Sequence, residues 1–218
     1  DSLDKYITYG NGTYEIRYSN EKELNLNQAE NLPYNVFNDL NPDTSKSWLE
    51  NNYNLDGTYK HSNDTDYYLT ENGNNIFKWG DSGQGVNGDW IHIELPKLIY
   101  LTKLIIKINS ADLNNAPKNI SVYGGMYSYK SDGNYYYNSH NYNNLNDIEQ
   151  ILYYKIEDIS DITYDADGYI FENIFADNLS NIDSLNKYKN YDNFLIVFNE
   201  LQGNGKTLKI KEIELYGF

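Results

Sequence analysis

Between Trp90 and Ile108 the chain alternates in character with a period of two. Ile91, Ile93 and Leu95 fall on one face and His92 and Glu94 on the other, and beyond Pro96 the residues Thr102, Leu104, Ile106 and Ile108 share a face while Lys103 and Lys107 flank Ile105 opposite. That spacing is the mark of extended strands with one side turned to a core. Pro96 is expected to separate the two runs, because proline cannot donate to a sheet ladder. Similar runs recur at Tyr14 to Tyr18, Ile76 to Trp79, Asn119 to Tyr123, Phe194 to Phe198 and Leu208 to Tyr216, each bounded by Gly, Asn or Asp. In the last run Leu208 and Ile210 are in one phase and Ile213 and Leu215 in the other, so a β-bulge near Lys211 and Glu212 is expected there. The stretch from about 127 to 191 is less regular and reads as an insertion, with short helices expected over Leu145 to Ile156 and Leu179 to Tyr188.

These elements predict an all-β protein of one domain spanning 1–218, since sandwiches of this length commonly hold a single core and no linker or repeat divides the chain. The apolar share leans on 24 tyrosines, a residue suited to strands and to binding surfaces. A formal charge of −15 repels phosphate backbones and anionic headgroups, which argues against nucleic acid and membrane lipid as partners and favours divalent cations. With no cysteine, disulfides and thiolate metal sites are excluded. No apolar run approaches the roughly 20 residues of a membrane helix. The Asp1 start, without initiator Met or signal segment, reads as that of a processed or excised piece.

Several segments in order carry a resemblance. Tyr9-Gly10-Asn11-Gly12-Thr13-Tyr14, then Pro33 to Asp39 with Val36-Phe37-Asn38-Asp39, are followed by Trp48 and by Asp89-Trp90-Ile91-His92-Ile93-Glu94-Leu95-Pro96. After these come Ala116-Pro117-Lys118-Asn119-Ile120-Ser121-Val122-Tyr123-Gly124, the turn Ser131-Asp132-Gly133, and Lys209 to Gly217. Together they resemble the discoidin family, also called coagulation-factor type C domains, and the related carbohydrate-binding modules of galactose-binding-like fold. The resemblance implies a jelly-roll-like antiparallel β-sandwich whose ligand site lies in loops at one end. The Tyr- and Asn-rich style also resembles proteins of large DNA viruses, which implies a place on a particle.

The same resemblance implies a structural Ca2+ between an early loop and the last strand. The matching positions are Asn38, Asp39, Asp43, Thr44 and Glu212, with Asn38-Asp39 in place of the family's Asp-Gly. Sugar sites combine an aromatic platform with polar groups for hydroxyls. Tyr53, Tyr59, His61 and Trp79, with Asn109 and Asp112 after Ile108, are therefore the expected ligand-binding residues. Ser110-Ala111-Asp112 stands where galactose-binding relatives often carry an Arg, which counts against galactose. The histidines His61, His92 and His140 form no H-E-x-x-H pair, and neither a G-x-S-x-G elbow nor the E-x-D-x-x-E strand signature of jelly-roll glycosidases is present. The expectation is a non-catalytic module, extracellular or on a virion surface, that holds a glycan or surface receptor. The rival expectation is a structural domain that contacts other proteins of a particle.

Overall fold

The computed structural model describes residues 6–9, 12–18, 36–37, 48–50, 53–59, 77–79, 88–131, 134–137, 148–165, 169–172 and 190–218. Its strands are β1 (Tyr6–Tyr9), β2 (Gly12–Tyr18), β3 (Trp48–Glu50), β4 (Phe77–Trp79), β5 (Asp89–Lys107) and β6 (Pro117–Ser131). They continue as β7 (Asn134–Tyr137), β8 (Ile148–Ile159), β9 (Tyr169–Glu172), β10 (Asn190–Leu201), β11 (Leu208–Ile210) and β12 (Glu212–Gly217).

The first half of β5 lies in a sheet ordered β1-β2-β5-β10-β6-β8-β4, whereas its second half carries β12 on one side and β9 on the other. Pairing is antiparallel except for β4 with β8, which run parallel. Ile16, Ile93, Ile196, Phe198 and Val122 from the larger sheet join Leu104, Ile106 and Ile213 from the β5–β12 layer, and Leu208 and Ile210 of β11, in one buried cluster. Two layers closing on one core make a β-sandwich, as the alternation requires.

Three local expectations are corrected. Pro96 does not end a strand, because β5 runs through it without a break. The β10 ladder explains this: Tyr191 faces Ile99 and Asn193 faces Glu94, so five steps of β5 are matched to two of β10 and Pro96 sits in the unpaired excess. A missing N–H costs no ladder bond there. Second, Leu145 to Ile156 is not a helix, since Ile148–Ile159 is the strand β8, paired with β6 from Ile120 to Tyr129. The span from 127 to 191 accordingly supplies β7, β8 and β9, not merely an insertion, while Leu179 to Tyr188 lies outside the described residues. Third, the phase slip at Lys211 is a change of partner: β11 pairs with β3 and β12 with β5. The Lys211 N–H donates to the Lys107 carbonyl at 2.9 Å where the chain crosses over.

The centre of the larger sheet is buried on both faces. Every residue from Tyr191 to Phe198 in β10 is buried, and so is His92 on β5, whose Nε2 lies 2.8 Å from Asn193 Oδ1. Half-buried alternation therefore understates this strand, whose residues are buried on both of its faces.

Candidate functional site

Where β10 ends, its pairing with β6 shifts register on both sides of Glu200. Three loops dock on the segment that follows. The first runs from Tyr53 to Tyr59. Its Tyr53 hydroxyl donates to the Phe198 carbonyl at 2.6 Å and accepts from the Asp89 N–H at 3.2 Å. The Tyr53 N–H donates to Lys206 O, Asn54 N–H to Thr58 O, and Leu201 N–H to Gly57 O. Gly57 has φ +84°, and a Cβ there would meet the Leu201 backbone, so only glycine fits this closure.

The second loop is the 3₁₀ turn Ser110–Asn115. The Asn109 side chain accepts from the Ala111 N–H at 3.2 Å and so caps the turn. The Gln202 N–H donates to the Ala116 carbonyl at 2.9 Å, and Lys209 Nζ pairs with Asp112 Oδ1 at 2.7 Å. The third loop, 160–165, is held through Glu200 and Asn119. Lys118 Nζ and Asn119 Nδ2 donate to the two Glu200 oxygens at 2.7 and 2.6 Å, and Asn119 Oδ1 accepts from the Asp161 N–H at 3.0 Å. The Gln202 amide donates to the Ile162 carbonyl, and the Tyr164 hydroxyl to the Pro117 carbonyl at 2.8 Å.

Two charged groups on this rim are shifted. Hydrogen bonds from the Thr58 hydroxyl and then the Thr58 N–H hold the Asp56 carboxyl below its ordinary value. The hydrogen bond to Glu200 and that carboxylate's charge hold the Lys118 ammonium above its own. Outward the rim offers Asn54, Asp56, Thr58, Asn114 and Asn204, with Leu55 at 61% and Leu113 at 49% exposure among them. Amides, hydroxyls and a carboxylate supply donors and acceptors side by side, as a polyhydroxylated ligand requires.

The expected site residues divide. Asn109 and Asp112 lie on the rim. Tyr53 and Tyr59 lie beneath it, 0% and 5% exposed, with ring centroids 5.5 Å apart. They are core residues rather than sugar platforms, because a stacked sugar needs an open ring face and theirs are closed. Trp79 falls in β4, where only the backbone is described, and His61 lies outside the described residues.

Of the five positions expected to hold calcium, Asn38, Asp39, Asp43 and Thr44 also lie outside the described residues. Glu212 is described: its Oε2 is 2.9 Å from Lys107 Nζ. A cation on that oxygen would lie against a fixed ammonium, so the described donor does not fit a divalent ion well.

Sequence reasoning missed Glu200, Lys118 and Gln202, which tie the loops together. The turn signal Gln202-Gly203-Asn204-Gly205 marks the segment on which the loops meet, with Gly203 at φ +74° and Asn204 at φ 58°.

No protein-family model and no curated protein sequence matches the chain. Similar solved structures include a GH31 CBM32-2 bound to GalNAc, with 14% identity, coverage of 94% of this chain and 99% of that one, and a TM-score of 0.44. Another is the F5/8 type C domain of a Bacteroides fragilis protein, with 11% identity, coverage of 98% and 97%, and a TM-score of 0.46. A third is the CBM32 of AlyQ in complex with 4,5-unsaturated mannuronic acid, with 9% identity, coverage of 92% of each chain and a TM-score of 0.32.

Proposed function

We propose that the chain is a non-catalytic binding module that holds a cell-surface glycan at the rim formed by the 53–59, 109–116 and 199–207 loops. The observation that carries this is the rim's construction. The 53–59 and 109–116 loops are bonded to the 199–207 segment through backbone groups, and exposed amide, hydroxyl and carboxylate side chains, Asn54, Thr58 and Asp56 already bonded to one another, face outward. A preorganised polar surface loses little conformational freedom when a flexible, hydroxyl-rich ligand arrives. Asp112 and Asn114 are the side chains assigned to hydroxyl recognition. Such a module works outside the cell or on a particle surface.

Screening the wild-type chain on a glycan array, then measuring the best ligand by calorimetry against Asp112→Asn and Asn114→Ala, tests the assignment. Each variant is expected to weaken binding about tenfold, the equivalent of one lost hydrogen bond to a charged or buried group. An array without any hit, or variants that bind like the wild type, would overturn it. Aryl glycosides incubated with the protein are expected to stay intact.

Leu55 and Leu113 favour a second reading, because two exposed leucines beside polar groups suit a protein neighbour. In that case the same rim cements the domain to a receptor or to another protein of a larger particle. Leu55→Asp together with Leu113→Asp would then abolish assembly with that neighbour.

A further inference from the structure

We infer that the cation tying the last strand to the rest of the sandwich is the Lys107 ammonium, and that Glu212 is its ion-pair partner and not a calcium ligand. The register sets up the contact: Lys107, the last residue of β5, is directly opposite Glu212, the first of β12. Side chains alternate, so Glu212 and Glu214 emerge on the same face, opposite the inward Ile213. Two like charges on adjacent same-face positions of one strand repel unless a cation stands between them. Lys107 Nζ fills that place, 2.9 Å from Glu212 Oε2 and paired also with Glu214 Oε1.

The remaining Glu214 oxygen accepts from the Tyr216 hydroxyl, and Lys103 Nζ lies 5.6 Å from the centre of the Tyr216 ring. Lys107 and Lys103 thus stand at either end of the two glutamates along this face of the β5–β12 pair, with Ile105 between them. The side chains of Glu212 and Glu214 are only 15% and 21% exposed, so water and salt screen this arrangement less than an open surface pair.

Position gives the tie its consequence. Lys107 stands two residues before Asn109, whose cap begins the 3₁₀ turn on the rim, and the Lys107 carbonyl accepts from the Lys211 N–H where the chain crosses from β11 to β12. A charge supplied by the chain itself is present at every calcium concentration. On this assignment the β5–β12 junction below the rim carries its own cation.

Thermal unfolding of the full chain in excess calcium chloride and in EDTA tests this, on the wild type, Lys107→Met and Glu212→Gln. The wild type and Glu212→Gln are expected to respond identically to the two buffers, and Lys107→Met to melt at a lower temperature than the wild type in both. Calcium that raises the wild-type midpoint but not that of Glu212→Gln would overturn the inference. So would a Lys107→Met protein as stable as the wild type. If Lys107→Met does not fold, calorimetric titration of calcium chloride into wild type and Glu212→Gln decides alone, since loss of a binding event on removing Glu212 contradicts the assignment and equal isotherms support it.

Discussion

Replacing Tyr53 by Phe removes one oxygen atom and leaves the ring in place. That oxygen joins three parts of the molecule: the turn that carries it, the Phe198 carbonyl on β10 at 2.6 Å, and the Asp89 N–H at the head of β5 at 3.2 Å. Tyr53 and Asp89 are both fully buried, so water cannot take over the lost bonds. A buried group deprived of a partner costs about 1–3 kcal/mol. The bond to Phe198 is of ordinary length for a hydroxyl donor and the one to Asp89 is long, so most of the loss comes from the carbonyl. The expected destabilisation is therefore about 1.5–3 kcal/mol, and for a chain of this size it lowers the melting midpoint by roughly 3–12 °C. Urea unfolding followed by tryptophan fluorescence gives the free energy, and calorimetry with the best array ligand gives the affinity of the folded fraction. Stability should fall while affinity stays at the wild-type value. A Phe variant of unchanged stability and lost binding would refute the assignment of Tyr53 to the core and restore it to the ligand surface.

Other outcomes follow from the same geometry. Gly57→Ala places a methyl against the Leu201 backbone at a φ of +84°, and should cost about 1–3 kcal/mol in urea unfolding. Asp112→Asn breaks a partly exposed pair with Lys209, so its effect on stability should stay under about 1 kcal/mol, and a larger loss would mean the pair is structural. On the acid side, burial acts to raise Glu214, but hydrogen bonds from Lys107 and Tyr216 and the Lys107 charge outweigh it, and its carboxyl lies below the ordinary 4.5. Its contribution is thus complete above pH 4.5 and is lost as pH falls through the lower folded value. On the alkaline side, hydrogen bonds to Glu214 and Glu212 raise Lys107, whose contribution is complete below its ordinary 10.5 and is lost as pH climbs beyond it. Melting midpoints across pH should fall at both ends, and Glu214→Gln should flatten the acid limb.

The strands around the core were legible because their alternation was clean: Ile91, Ile93, Leu104 and Ile106 were placed inward from spacing alone and are buried. The slip between Ile210 and Ile213 was visible too, although spacing cannot distinguish a bulge from a strand that changes partner. β8 was misjudged because Ile148, Ile151, Leu152 and Ile156 recur at three and four, a helical interval, and only pairing with β6 settles the conformation. Asn109 and Asp112 lie on the turn after β5, where the end of the preceding strand led the sequence reading to expect a loop. Tyr53 and Tyr59 were misplaced because tyrosine serves cores and surfaces alike, and nothing local to either residue shows that Phe198, 145 positions from Tyr53, would close over it. The ties made by Glu200 and Lys107 are long-range charge pairings with no local signature.

The 19 residues of β5 belong to both layers. Sliding one layer over the other would require the same backbone to break rank with β10 or with β12. The two layers are thus geared together, and the turn leaving the far end of β5 has a footing that does not yield when something presses on it. Encounter with a partner at that turn should proceed at a rate set by diffusion and orientation, unaltered by viscosity-independent rearrangement, and amides of the turn should keep one conformation before and after.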